Sequence, residues 1–134
     1  MDTKEKQIFI GIDVSKETLD VATDGEADGP QYANDAVSMA ALAAWLAEKE
    51  VTLVVVEASG GWELDLVSAL AVAGLPVAVV NPTRVRNFAK ALGQYAKTDK
   101  IDAQVLARFA AVVPPPWRSL KSSDHAPRAA VSSR

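Results

Sequence analysis

The chain has 134 residues, 49% of them apolar, which suffices for one domain that buries about two-thirds of its surface. It contains no cysteine and one histidine, which excludes disulfides, thiolate zinc sites and most histidine-based catalysis. A charged N-terminal segment argues against a signal peptide, and no apolar run reaches the roughly 18 residues of a membrane helix. Any catalysis by this chain is therefore expected to depend on carboxylates, and carboxylate oxygens favour Mg²⁺ or Mn²⁺ as the metal.

The formal net charge of −3 hides two regions of opposite sign. Residues 1–83 carry a balance of −10, whereas residues 84–108 carry +4 and residues 109–134 add +3. A basic region of this kind suits binding to a phosphate backbone, although a solvated helix surface explains the same charges. The candidate nucleic-acid contacts are Arg84, Arg86, Lys90, Lys97 and Lys100.

The first part of the chain predicts a β-hairpin, a short strand and a helix. Alternating apolar residues indicate two antiparallel strands over 7–13 and 18–24, and 31–33 is a candidate edge strand. Asn34 or Asp35 then caps an alanine-rich helix that runs to about Glu48.

The second part alternates strands and helices. The β-branched run 51–57 suits a strand that is buried on both faces. The Ser59-Gly60-Gly61 loop that follows could bind a phosphate, although a plain turn is favoured. Helical spacing begins at Trp62, which, like Trp45, we expect in the core rather than as a platform for stacking.

A fifth strand covers 75–80, and Asn81-Pro82 opens a helix to about Leu92. The last helix is predicted to open at Thr98 as N-cap and to continue past residue 109. Residues 1–113 are therefore predicted to form one domain, and residues 114–134, which begin with three prolines, a linker and tail.

This order predicts an α/β fold of the ribonuclease-H-like, RuvC-like class, with a mixed five-stranded sheet and helices on both faces. Right-handed crossovers would put strand 51–57 beside strand 7–13 in the middle of the sheet. Because Asp13 and Glu57 end these two strands, we expect the two carboxylates to meet there.

Two further carboxylates, Asp99 and Asp102, are three residues apart and would lie on one helix face, with Cβ atoms roughly 5–6 Å apart. The helix dipole favours acids at a helix start, so part of this pattern needs no function. With Asp13 and Glu57, however, the pair completes a set of four acids. Such a set could hold two Mg²⁺ ions about 3.5–4 Å apart for phosphodiester chemistry. The alternative for each acid is an ordinary role at a strand end or helix start.

Four segments together resemble the N-terminal domain of insertion-sequence transposases of the Piv invertase-like group. They read GIDVSK from Gly11, VEASG from Val56, VNPTRVRNFA from Val80 and KTDKIDA from Lys97. The resemblance covers residues 7–113. The Gly-Ile-Asp motif alone is also found in actin-like ATPases and many nucleases, whereas the last two segments together are specific.

This resemblance implies a RuvC-like DEDD domain in which Asp13, Glu57, Asp99 and Asp102 are catalytic and bind Mg²⁺, with Mn²⁺ as a substitute. It also implies DNA as substrate in transposition, a bridge RNA as guide, a homo-oligomeric full-length protein and a bacterial cytoplasmic, nucleoid-associated location without a membrane. Members continue into a second domain with a catalytic serine, so the chain is expected to be a fragment of limited activity. The alternatives are a remnant that binds DNA or guide RNA, or dimerises, without cutting, and an actin-like ATPase fragment.

Overall fold

The structure is a computed structural model that describes residues 6–93 and 101–113. Its strands are β1 (Phe9–Val14), β2 (Thr18–Thr23), β3 (Gln31–Ala33), β4 (Leu53–Glu57) and β5 (Val77–Val80). Its helices are α1 (Ala36–Glu48), α2 (Leu64–Val72), α3 (Pro82–Leu92) and α4 (Ala103–Val112). In the described part of the chain, no helix has the length and apolar character that crossing a membrane requires.

The five strands form one mixed sheet in the order β3-β2-β1-β4-β5. β1 is antiparallel to β2 and parallel to β4, while β4 and β5 are parallel. This topology confirms the predicted α/β, ribonuclease-H-like fold, including the short third strand at the edge. It also confirms that β1 and β4 are neighbours in the middle of the sheet.

The sheet separates two apolar layers because successive residues of a strand point to opposite faces. One layer joins Ile10, Ile12, Val54 and Val56 to the buried faces of α1 and α2. The other joins Val55 and Val80 to α3 and α4. By the same alternation, Gly11 and Asp13 of β1, like Glu57 of β4, face the layer of α3 and α4.

Several predicted helix ends are confirmed in atomic detail. The side chain of Asp35 accepts a hydrogen bond from the Ser38 amide at 2.8 Å and so caps α1. Asn81 caps α3 in the same way, accepting from the Thr83 amide at 2.7 Å. Gly93 ends α3 with φ of 74°, a conformation that glycine adopts without steric cost.

Two helix starts differ from the prediction. α2 begins at Leu64 rather than at Trp62, because Gly60 and Gly61 both have positive φ and the chain is still turning there. α4 begins at Ala103, and Asp102 is its N-cap, accepting a hydrogen bond from the Val105 amide at 3.1 Å. The prediction that Asp102 lies on a helix face is therefore wrong, since its carboxylate caps the helix.

The contact between α4 and β1 is unusually close. A Cβ atom added to Gly11 would lie 2.3 Å from the carbonyl oxygen of Ala103 and 2.3 Å from the amide nitrogen of Ala107. Only glycine allows this approach, and the two alanines on the helix keep the contact narrow. The position of α4 over the centre of the sheet therefore depends on three small residues.

Candidate carboxylate site

Asp13 and Glu57 lie side by side at one edge of the sheet. The parallel register pairs Ile12 of β1 with Val56 of β4, and the two acids are the next residues of these strands. Neighbouring strands are about 4.8 Å apart, and both side chains face the α4 layer. Both residues are partly buried, and the Oε2 atom of Glu57 is buried completely. The predicted convergence of these two strand-end acids agrees with this geometry.

Asp102 approaches the same edge through α4. Ala103, the first residue of the helix, lies against Gly11, and Gly11 is two residues before Asp13 on the same face. Farther along the helix, the Arg108 guanidinium contacts the Asp24 carboxylate at 3.1 Å, and the Asp24 amide donates to the carbonyl of Phe9 at the start of β1. These contacts indicate that α4 runs back along β1, with its N-terminus toward Asp13.

A further acid, Asp20, was not identified from the sequence. The antiparallel register puts Asp20 of β2 directly opposite Asp13, so both side chains lie on one face. The Gln31 amide group donates to the Asp20 carboxylate at 2.6 Å. The hairpin register contained this signal, because a turn between Val14 and Thr18 fixes the pairing of the two strands.

Three carboxylates, Asp20, Asp13 and Glu57, thus stand in a row across three adjacent strands. Nevertheless, among residues 6–93 and 101–113, no three acidic or histidine side chains form a group that could hold a metal ion. Asp99, the fourth predicted acid, lies outside the described residues, as do Lys97, Lys100 and the tail 114–134. The described residues therefore supply part of the predicted ligand set.

The basic side chains of α3 are exposed but do not form a single patch. At about 100° per residue, Arg86 and Lys90 share one side of the helix, whereas Arg84 lies on the opposite flank. Val85 and Ala89 are the buried residues of the helix. Arg84 is in the first turn, and α3 starts directly after β5, whose Val80 is paired with Glu57. Of the three, Arg84 is therefore the nearest along the chain to the carboxylate edge.

The loop between Glu57 and α2 is held together by the carboxylate of Glu63. Oε1 of Glu63 accepts hydrogen bonds from the Ser59 amide at 3.0 Å, the Ser59 hydroxyl at 3.1 Å and the Gly61 amide at 3.1 Å. These are the donors that a phosphate bound by the glycine-rich loop would use. The loop is accordingly a turn stabilised from within, and sequence analysis gave no sign of the role of Glu63.

Glu63 is the one buried charged side chain among the described residues, with 7% of its surface exposed. Burial raises the pKa of its carboxyl, but the hydrogen bonds from Ser59 and Gly61 lower it by more in sum. The pKa therefore lies below its ordinary value of 4.5, and the carboxylate is charged at neutral pH.

Trp62 does not belong to the core, contrary to the prediction. Its side chain is 51% exposed, whereas Trp45 packs partly buried against the core of α1 and α2. The reason is the late start of α2. The helix turns Leu66, Val67 and Leu70 inward and leaves the residues before it outside.

Comparison with known proteins identifies the family. A family model for transposases, of the DEDD type of IS110 elements, matches residues 10–129. The Pilin gene-inverting protein of Moraxella lacunata is 30% identical over 122 residues, which cover 87% of this chain. The protein of the same name from Moraxella bovis is also 30% identical over 122 residues.

The chain spans 38% of the length of each of these two relatives. The family model, in contrast, matches most of the chain, from β1 through α4 and beyond. It does not support the actin-like ATPase alternative, which rested on the Gly-Ile-Asp motif alone. The chain belongs to the DEDD transposase family of IS110 elements.

Proposed function

We propose that this chain is the carboxylate domain of a DNA transposase or recombinase, which binds Mg²⁺ and takes part in cleavage and transfer of DNA strands. One observation carries the proposal within this family. Asp13 and Glu57 lie next to each other on β1 and β4, on the face toward which α4 brings Asp102. The donor chemistry fits, since carboxylate oxygens are the ligands that Mg²⁺ prefers.

Within this proposal, Asp13 and Glu57 would hold the metal from the sheet and Asp102 would hold it from the start of α4. The family resemblance gives Asp99 as the fourth ligand. Oδ1 of Asp102 accepts a hydrogen bond from the Val105 amide, so Oδ2 would be the oxygen available to a metal. Mg²⁺ bound there would stabilise charge on the attacking and leaving oxygens at phosphorus. Arg84, Arg86, Lys90, Lys97 and Lys100 would contact the phosphate backbone.

The partners in this proposal are DNA and, by the family resemblance, a guide RNA, with a homo-oligomer formed by the full-length protein. A place on the bacterial nucleoid follows from DNA as the substrate. The exposed basic residues of α3 support a nucleic-acid partner of either kind, because they attract phosphates without reading sequence.

A second candidate function is binding of nucleic acid without cutting. It is favoured by the exposed basic side chains of α3, which can bind phosphates without a metal. Metal-dependent cleavage separates the two candidates. The catalytic proposal requires Mg²⁺-dependent nicking of DNA that Asp13→Asn abolishes, whereas the binding proposal allows DNA affinity with no nicking at any metal concentration.

The experiment is a thermal-unfolding titration of the purified chain with Mn²⁺ and Mg²⁺. A ligand of the native state raises the melting temperature, so we expect stabilisation of the wild type by either metal. A tenfold excess of metal over its Kd corresponds to about 1.4 kcal/mol. Asp13→Asn should remove this response because it deletes one charged ligand.

The matched control is Asp28→Asn, which removes one negative charge from an exposed loop. It should leave the metal response intact. If the wild type and Asp13→Asn melt identically over a broad Mn²⁺ range, the carboxylates do not form a metal site and the catalytic proposal fails. An equal loss of response in the control would mean that the metal binds by general charge attraction.

A further inference from the structure

Trp62 is the one exposed aromatic side chain among the described residues. The other described aromatic residues are buried or partly buried, and even the Trp45 ring is covered by the Lys49 ammonium, 4.4 Å from its centroid. Tryptophan has the largest apolar surface of any side chain and is usually well buried, so half exposure is costly in water. An indole ring exposed in this way is available to stack on a planar ligand.

The loop that carries Trp62 is held in one conformation. Gly60 and Gly61 have φ of 75° and 112°, and the Glu63 carboxylate binds donors of Ser59 and Gly61 on the other side of the turn. Trp62 lies between Gly61 and Glu63, so both of its neighbours are fixed. The indole ring is thus presented on a preorganised support, which lowers the entropy lost when a ligand binds.

The loop also starts at the carboxylate edge. It leaves β4 directly after Glu57, and the Ala58 amide still donates to the carbonyl of Val80 in β5 at 3.0 Å. α3 leaves the same edge from Val80, with Arg84 in its first turn. The edge therefore has the acids in its middle, a cation on the α3 side and the indole on the α2 side.

We propose that Trp62 stacks on an unpaired nucleobase of the strand that occupies the carboxylate site. The inference rests on the proposed function and names the state of its substrate, which is unpaired beside the reacting phosphate. A ring stacks on an accessible base face, and in a continuous duplex both faces of a base are covered by its neighbours. A contact with another protein segment is the alternative, since Leu64, two residues after Trp62, is also exposed; the measurement of oligomeric state below distinguishes it from stacking on a base.

The test compares Trp62→Ala, Trp62→Phe and Trp62→Leu in fluorescence anisotropy with labelled single-stranded DNA, single-stranded RNA and the fully paired duplex. Loss of one stacking contact corresponds to about a 5- to 150-fold loss of affinity. We expect this loss in the Ala and Leu variants on single strands, near-wild-type affinity in the Phe variant, and less than a twofold change on the duplex. Whichever of single-stranded DNA and single-stranded RNA loses more affinity in the Ala and Leu variants is the strand that supplies the stacked base.

Leu64→Ala is the matched control, because Leu64 is 63% exposed at the start of α2 and lacks a ring. It should change none of these affinities. The Trp62 variants should also keep the salt dependence of binding, since stacking neutralises no phosphate. If Trp62→Ala does not fold, the comparison of the Leu and Phe variants decides the question.

Equal affinity of the wild type and the Leu variant for every single strand would overturn the stacking role. A Trp62 variant that loses a dimer in light scattering but keeps its affinity would overturn it in favour of a protein contact. A wild type that binds neither DNA nor RNA would also overturn it. The metal response of Asp13→Asn then decides separately whether the proposed carboxylate function stands.

Discussion

Gly11→Ala adds one methyl group between β1 and α4, where the backbone of the strand and that of the helix come very close to each other. The new Cβ would meet the Ala103 oxygen and the Ala107 nitrogen at 2.3 Å and the Leu106 Cβ at 2.7 Å, whereas ordinary contact begins at 3.4 Å. The two nearest atoms belong to the helix backbone, so no side-chain rotation can relieve the overlap. The helix must move outward by about 1.1 Å.

Such a shift reduces packing along the whole face of α4. Leu106, Ala107 and Phe109 are each at most 1% exposed, and a gap of 0.5–1 Å loses about a quarter to a half of a dispersion contact. Overpacking of this kind costs about 1–3 kcal/mol, and we expect the upper half of that range because backbone atoms collide. At about 4 °C per kcal/mol for a chain of this size, the melting temperature should fall by roughly 8–12 °C.

The assay is thermal unfolding followed by circular dichroism, with and without Mn²⁺. The matched control is Gly74→Ala, at φ of 84° with no atom within 4 Å of the added methyl. The control should lose only about 1–2 kcal/mol for its left-handed backbone and keep its response to Mn²⁺. Because α4 carries Asp102, Gly11→Ala should weaken the metal response as well. A melting temperature within 2 °C of the wild type would refute the close contact of α4 with β1, on which this reasoning depends.

Two more predictions concern the carboxylate loop and the basic helix. Glu63→Gln should cost about 1–3 kcal/mol at pH 7, because charged hydrogen bonds are lost in a buried turn. Because the pKa of Glu63 is lowered in the folded state, the difference in unfolding free energy between wild type and variant should stay constant well above pH 4.5 and shrink as the pH falls below it. Urea unfolding at several pH values measures this difference. Glu48→Gln, at an exposed position, is the control. For nucleic-acid binding, replacing Arg86 and Lys90 together by alanine should flatten the salt slope by up to about 2 units, and Arg84→Ala by up to about 1. A salt slope that none of these changes alters would move the interface away from α3.

The sheet could be predicted because its signals are local. Alternation in the hairpin and β-branched runs in β4 and β5 mark strands that are buried, and the Asn81-Pro82 pair marks a helix start through its own hydrogen bond. The adjacency of Asp13 and Glu57 followed from one further rule, the handedness of the crossover between parallel strands. These inferences needed no knowledge of which side chains touch.

The start of α4 could not be predicted in the same way, because the sequence offers several good caps. Thr98, Asp99 and Asp102 can each accept a hydrogen bond from a helix N-terminus. The choice of Asp102 is consistent with packing, since Ala103 must lie in the first turn to meet Gly11. Tertiary contact thus decided between caps of similar local quality.

Trp62 and Glu63 were missed for a related reason. Helical spacing from Trp62 onward predicted a core residue, yet the buried carboxylate of Glu63 holds the preceding loop in a turn that shifts the helix start to Leu64. A glutamate in a sequence carries no mark of burial, because burial depends on backbone donors gathered around it by the fold. The positive φ angles of Gly60 and Gly61 therefore accompany the late helix start that leaves the Trp62 side chain exposed to solvent.

The residues that fix the fold and those proposed to act in it are interleaved on β1. Gly11 sets how closely α4 approaches, and Asp13, two residues later, is the acid that would share a metal with the start of that helix. The distance between Asp13 and Asp102 is thus set by backbone contact between a strand and a helix rather than by a loop. Sites on such rigid elements hold their ligands more reproducibly. The glycine of the Gly-Ile-Asp motif consequently has a structural role. It lets α4 approach β1 closely enough for the start of the helix to lie near the proposed carboxylate site.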